Sequence, residues 1–366
     1  MDLQSKKILI AAGGTGGHLF PAQALAQQLQ TKECDVLFMG KGLSENAYFH
    51  KERFASLSID AATPLRKKAL QKALAFVSLG KGVIQAWQGI REFDPELVVG
   101  FGSFHSFPVL VAAFLRGIPF VLFESNSIPG KVNRLFSRYA LFSGIVFPKA
   151  KKRMKGICKE VSMPFWGEKI DQKIAQKEAL SYFPLKENCF TILVFGGSQG
   201  AVSLNPIVAE AIGQLHREKG PIQVIHLTGS ADSSEKISKM YQDHDVYAVV
   251  KPFEQKMYLA WACSDLAICR AGAATLAEIM HFEVPSVLIP YPAAADQHQK
   301  ENALFMQEVV KGSFCLEQSQ LTSQKLFSVL AKCDLQEMKR SISLFSEQKT
   351  KKELIDCIDE YWSSKE

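Results

Sequence analysis

Cysteine pairs at C-x-x-C spacing are missing from this chain. Its eight cysteines, at positions 34, 158, 189, 263, 269, 315, 333 and 357, are scattered, so their spacing suggests neither a zinc site nor a disulfide framework. A reducing cytoplasm suits them best. A long apolar run is missing too: the most apolar stretch, Phe107 to Phe123, is broken by Arg116, Gly117 and Pro119 and falls short of the ~20 residues that a spanning helix needs. Met1 to Lys7 shows no apolar core or cleavage site of a signal peptide, so no export is expected and any membrane contact must be peripheral. Charge of one sign is in only slight excess. The 43 Lys and Arg against 37 Asp and Glu leave +6, too little to demand nucleic acid as a partner but enough to favour acidic partners where it clusters.

What is present is an ordinary globular composition, 47% hydrophobic and 22% charged, which excludes disorder, collagen and coiled coil. At about 150 residues per domain, 366 residues predict two. Ile8 to Ala12 reads as a buried strand, followed by the turn Gly13-Gly14-Thr15-Gly16-Gly17-His18 and a helix opened by Pro21. The same grammar returns at Thr191 to Phe195, Gly196-Gly197-Ser198-Gln199-Gly200 and a helix holding Ile207, Val208, Ala211 and Leu215. The fold class is therefore α/β, with two Rossmann-like halves in tandem. Further strands are predicted at 36–39, 97–99, 120–123, 224–227, 266–269 and 286–289. The basic stretch Lys149 to Lys159 reads as a surface connection, with a first domain over 1–163 and a second over 164–346. A terminal helix about 347–366, with Leu354, Ile355, Ile358 and Tyr361 on one face, is expected to pack back on the first half.

Glycines let a backbone approach a phosphate, and the following helix offers unpaired N–H groups and the positive end of its dipole. A dinucleotide reading of the first turn wants an acid ending the second strand, but Val36 to Met39 runs into Gly40-Lys41. The segment from Leu266 to Glu278 repeats the strand, turn and helix. There Gly272 to Thr275 can present N–H groups to a diphosphate, while Glu278, one turn beyond Ala274, can accept from ribose hydroxyls. Arg270 stands beside that turn, and Gln299, after Asp296-Gln297-His298, is placed to meet sugar hydroxyls. All of these fall at the carboxyl ends of strands, where open α/β sheets bind ligands, and predict a central cleft.

Gly13 to Pro21, Gly196 to Ala201, Cys269 to Ala273 with Thr275 and Glu278, and Asp296 to Gln299, with Glu124-Ser125-Asn126 between them, resemble one family in order and over nearly the whole chain. It is the family of bacterial transferases that add N-acetylglucosamine to undecaprenyl-pyrophosphoryl-muramoyl-pentapeptide. The resemblance implies the GT-B fold, UDP-N-acetylglucosamine as donor held mainly by the C-terminal half, and the lipid-linked acceptor on the N-terminal half. Carried over by position, Thr15, Gly16 and Gly17 approach the donor with Gly14 in support, and Asn126 contacts its sugar. Ser198 meets the diphosphate beside Gln199, and Glu254 the uracil region. Ala273, Ala274, Thr275, Leu276, Ala277 and Glu278 meet the nucleotide, and Gln299 the sugar hydroxyls.

Inverting transfer needs a base for the acceptor hydroxyl and groups to hold the leaving UDP. His18 is the candidate base, the alternative being a histidine that orients the glycine turn. The helix starts after Gly200 and Gly272 would hold the leaving group, helped by Arg270, without a bound metal or cofactor. Two departures stand out. Met163-Pro164-Phe165-Trp166 replaces the family's Asn-Pro-Val-Arg, putting Trp166 where a cation contacts the donor, and Ser103 in the acceptor loop Gly100 to His105 occupies a usual glycine position.

Arg66, Lys67, Lys68, Lys72 and Lys81 surround Leu70, Leu74, Phe76, Val77, Leu79, Val83, Ile84 and Trp87. Basic and apolar together, the segment is either an interfacial element for an anionic membrane surface or a buried helix with a charged rim; the implied lipid-linked substrate favours the membrane. The expected place is the cytoplasmic face of the bacterial inner membrane. The rivals are a UDP-N-acetylglucosamine 2-epimerase or another UDP-sugar enzyme of the same fold, an NAD-dependent oxidoreductase, and a noncatalytic nucleotide-sugar-binding subunit.

Overall fold

The computed structural model describes residues 3–64, 68–164, 172–197, 201–348 and 352–363. The chain divides into two compact units, Met1–Trp166 with Lys351–Glu366, and Gly167–Thr350. Each holds one parallel sheet.

In the first unit the strands are β1 (Lys7–Ala11), β2 (Asp35–Gly40), β3 (Ala55–Ser58), β4 (Leu97–Gly100), β5 (Phe120–Glu124), β6 (Ser143–Ile145) and β7 (Cys158–Glu160), in the order β3-β2-β1-β4-β5-β6-β7. In the second they are β8 (Phe190–Phe195), β9 (Ile222–Leu227), β10 (Tyr247–Lys251), β11 (Leu266–Cys269), β12 (Ser286–Leu288) and β13 (Ser313–Cys315), in the order β10-β9-β8-β11-β12-β13. Both orders reverse direction beside the first strand, between β1 and β4 and between β8 and β11, the switch point where doubly wound sheets take ligands. Ile8 to Ala11 and Ile192 to Phe195 are buried along their length because helices cover both faces of a parallel sheet, which is why they read as unbroken apolar runs.

The expected strands are present, each within a residue or two of its predicted bounds. The strands that the apolar pattern does not announce, β3, β6, β7, β10 and β13, are short or sit at or next to a sheet edge, where one exposed face dilutes that pattern. β7 also corrects the reading of Lys149 to Lys159 as a plain surface connection. After a 3₁₀ turn over Pro148–Arg153 the segment becomes the sheet's last strand, and Val161 and Ser162 then pair with Lys352. The helix after β1 begins at Gly16 and carries Pro21 inside it, so Pro21 does not open it. A proline there deletes one hydrogen bond, to the Gly17 carbonyl, which the flanking turns of this 16-residue helix absorb.

The terminal helix Leu354–Ser363 packs within the first unit, where Asp359 accepts from the Leu3 N–H at 3.1 Å and pairs with Lys32 at 2.5 Å. Its buried face is Leu354, Ile355, Cys357, Ile358 and Trp362; Tyr361 is only half-buried.

Candidate active site

In the first unit the candidate residues gather at the carboxyl ends of β1, β4 and β5. The end of β2 runs so close to β1 that a Cβ on Gly40 would fall 1.8 Å from the Ala12 carbonyl oxygen, so only glycine fits. The turn that follows β1 leaves Thr15 exposed and Gly17 and His18 half-buried at the start of the Gly16–Thr31 helix. Thr15 precedes that helix without capping it by its side chain. The N–H groups of His18 and Leu19 turn back to the Thr15 carbonyl, leaving those of Gly16 and Gly17 at the mouth of the helix.

β5 ends in Glu124, a carboxylate only 3% exposed. One of its oxygens accepts the N–H of Asn126 at 3.0 Å and the Asn126 side-chain amide at 3.2 Å. The other accepts from Gly130 N–H and Asn133 Nδ2, each at 2.9 Å. Burial pushes the Glu124 carboxyl above its ordinary range, and these four donors pull against it. Glu124 thereby shapes the turn that presents Asn126. Residue type points to Asn126 and not to Glu124, although an acid closing the apolar strand Phe-Val-Leu-Phe-Glu is itself a signal.

In the second unit β11 runs through Arg270 and Gly272 into the Ala273–Phe282 helix. Gly272 is in extended conformation, and no side chain caps the helix, so its first N–H groups are available to an anion. Ala273, Thr275 and Leu276 are buried; Ala274, Ala277 and Glu278 are half-buried. Glu278 rests beside Trp261, whose ring stacks on Phe282 at 6.4 Å and meets Phe195 edge-on at 5.6 Å. Desolvation there raises the Glu278 carboxyl to about 7, against the opposing pull of the indole. Gln299 accepts the Tyr291 N–H at 2.9 Å through its side-chain oxygen, which leaves its amide nitrogen as the donor. Asp296 and Gln297 before it both adopt left-handed backbone, φ 50° and 55°, a strain that is held where the surrounding structure imposes it.

Two further candidate side chains have partners within the protein. Arg270 is 6% exposed and donates from one nitrogen to the carbonyls of Ile289 and Pro290, both at 3.1 Å, while its guanidinium lies over the Tyr291 ring. It clamps the end of β12. Glu254 is likewise turned inward. Its carboxylate takes the Lys251 ammonium at 2.6 Å, the Tyr182 hydroxyl at 3.1 Å and the Lys256 N–H at 2.8 Å. Burial raises the Glu254 carboxyl, but these donors outweigh it and hold the group below its ordinary range.

Ser198, Gln199 and Trp166 lie outside the described residues, as do Arg66 and Lys67. Asp243 and Asp245 have the D-x-D spacing of a cation site, but they lie between a helix end and the start of β10, at the opposite edge of the sheet.

Two doubly wound units, each with an uncapped helix start at its ligand edge, have the make-up of the GT-B class of nucleotide-sugar enzymes. The chain belongs to glycosyltransferase family 28: the family's N-terminal domain matches residues 8–142 and its C-terminal domain residues 191–358. It is 45% identical over 311 residues, 84% of this chain and 82% of the relative, to the UDP-N-acetylglucosamine--N-acetylmuramyl-(pentapeptide) pyrophosphoryl-undecaprenol N-acetylglucosamine transferase of Protochlamydia amoebophila. The protein of the same name from Chlamydia trachomatis serovar L2 is 36% identical over 320 residues, 87% of each chain. The crystal structure of Acinetobacter baumannii MurG superposes with a TM-score of 0.73 at 26% identity, covering 97% of this chain and 98% of that one.

Proposed function

We propose that this glycosyltransferase moves N-acetylglucosamine, with inversion, from UDP-N-acetylglucosamine to the 4-hydroxyl of the muramoyl sugar of undecaprenyl-pyrophosphoryl-muramoyl-pentapeptide, a step of peptidoglycan synthesis. The observation that carries the donor half is the Gly272 to Glu278 segment, which sets uncapped N–H groups and a carboxylate on one short helix. N–H groups at a helix start suit a diphosphate, and a carboxylate suits ribose hydroxyls. His18 takes the proton of the acceptor hydroxyl, and the helix start after Gly272 stabilises the leaving UDP without a metal. Asn126, on the turn shaped by Glu124, meets the donor sugar, and Thr15 to Gly17 approach it through their main chain.

The acceptor's lipid asks for a membrane surface, and the Ala69–Phe93 helix supports one. Phe76 and Ile84 are each 62% exposed, with Leu70, Leu74, Val77 and Trp87 exposed beside Lys72 and Lys81. Buried helices do not turn six large apolar side chains outward; interfacial ones do. Among the described residues no helix is long and apolar enough to cross a membrane. The proposed attachment is peripheral and on the cytoplasmic face of the inner membrane. The deciding experiment measures UDP release from UDP-N-acetylglucosamine with and without the lipid-linked acceptor. Release that depends on the acceptor supports the proposal, whereas turnover of the donor alone by epimerisation replaces it.

A further inference from the structure

An imidazole and two glycine peptides share one small volume in the first unit. Ser103 opens the Ser103–Leu115 helix at φ 68°, in the left-handed region ordinarily left to glycine. Its hydroxyl lies 2.9 Å from His105 Nδ1 and 3.5 Å from the His105 N–H. The His105 ring lies against the turn after β1. A Cβ built on Gly13 would meet His105 Cβ at 2.8 Å, and one built on Gly14, itself at φ 89°, would meet His105 Nδ1 at 2.8 Å. On the same turn, Asn46 Nδ2 donates to the Gly14 carbonyl at 2.7 Å. The turn is thus held by an amide and an imidazole from two other segments of the unit. Burial, and after it the Lys41 ammonium, keeps that imidazole below its usual range, so it packs as a neutral ring.

We infer that His105, oriented by Ser103, is a positioning residue: it occupies the space that side chains at positions 13 and 14 would fill and fixes the turn that leads into Thr15, Gly16, Gly17 and His18. The strained serine is explained by this role. A residue in the left-handed region persists where its side chain has work that glycine cannot do, here the hydroxyl on Nδ1. The inference rests on the assignment of His18 as the base only for its effect on rate; the effect on the turn stands apart from it.

The test uses the full-length enzyme. His105→Ala is expected to lower kcat with the lipid-linked acceptor at least tenfold, to raise the donor KM by a smaller factor, and to speed amide hydrogen exchange across residues 12–18 at least tenfold. His105→Phe keeps a ring but discards Nδ1 and with it the contact to Ser103, and is expected to place kcat and exchange between those of wild type and His105→Ala. Ser103→Gly is expected to raise the melting temperature while lowering kcat, because strain is relieved as the ring loses its hydroxyl. A residue that merely stabilises the fold does not move these two readings in opposite directions. Unchanged exchange across 12–18 in His105→Ala overturns the inference. So does a His105→Phe enzyme as slow and as fast-exchanging as His105→Ala, since the volume of the ring would then do nothing for the turn. A His18→Ala enzyme of normal turnover would remove the base assignment and leave the exchange result standing.

Discussion

The first unit turns six large apolar side chains of its Ala69–Phe93 helix outward, whereas a long helix of the second unit, Asn205–Lys219, buries Val208, Ala209, Ala211, Ile212 and Leu215. The apolar surface of the first unit continues past that helix, because the Arg116 guanidinium covers the Trp87 ring at 5.0 Å and exposed Phe114 packs on Tyr139 at 4.7 Å. The ligand edges differ as well. In the first unit hydrogen bonds to one buried carboxylate shape the Asn126 turn. In the second, charge does much of the holding, through Arg270 on the Ile289 and Pro290 carbonyls and Lys251 on Glu254. One strand order therefore carries two chemistries, an apolar surface suited to a lipid-linked acceptor and a polar edge suited to a nucleotide.

The sharpest way to break that division is at His18. His18→Ala is expected to lower turnover by roughly 10²–10⁴-fold with donor affinity within a few-fold, because a positioned base acts in the transition state and not on the bound donor. Single-turnover kinetics beside donor titration separate the two, and near-normal turnover refutes the base assignment. Next comes the outer face. Phe76→Glu with Ile84→Glu removes two exposed apolar side chains, worth roughly 2–4 kcal/mol of partitioning if they insert in lipid. Flotation with anionic liposomes should fail for the pair while acceptor-dependent UDP release in detergent persists. Equal flotation of variant and wild type would make the patch an ordinary surface.

Much of this division is legible in the amino-acid sequence, and the rest is hidden for physical reasons. The two glycine turns announce themselves because phosphate approach and tight turns restrict residue choice to Gly and a few others. The strands of the two sheet centres are legible because burial on both faces demands unbroken apolar runs, as in Ile8 to Ala12 and Leu266 to Cys269. β7 is hidden because Cys158-Lys159-Glu160 at a sheet edge carries the polar residues that edges need. At the site, residue type locates Arg270 and Glu254 beside the nucleotide edge but does not say which way their side chains turn. That direction is set by partners distant in sequence, the Pro290 carbonyl for one and the Tyr182 hydroxyl for the other. The helix at 69–93 is legible as basic and apolar, yet only its packing decides which of its apolar residues are covered.

Glu278 tests the nucleotide side of the comparison. Its carboxyl is raised to about 7, so it passes from mostly protonated to mostly ionised between pH 6 and 8, and only the ionised form accepts from both ribose hydroxyls at full strength. Donor affinity measured by calorimetry should tighten by up to about tenfold as pH rises through that window. Glu278→Gln should bind roughly 10–100-fold more weakly and lose that pH dependence, a charge-assisted hydrogen bond being worth about 1.5–3 kcal/mol. An unchanged pH dependence in the variant would place the titrating group elsewhere.

The smallest effect concerns the polar core of the second unit, which has no counterpart as a buried imidazole in the first. His226 is 0% exposed, with Nδ1 2.9 Å from the Tyr241 hydroxyl and Nε2 3.2 Å from Asn205 Oδ1. Burial lowers its pKa from 6.5 to about 3. A depressed value means that between pH 6.5 and 3 the unfolded chain binds a proton that the folded chain refuses. The stabilising contribution is therefore complete above pH 6.5 and is lost as pH falls, by up to about 1.4 kcal/mol per pH unit. Urea unfolding at pH 7 and pH 5 should show this loss in the wild type. His226→Phe, less stable at pH 7 because Tyr241 and Asn205 lose their partner, should show a loss smaller by about 2 kcal/mol over the same interval, and equal slopes would mean that the fold does not depress the His226 pKa.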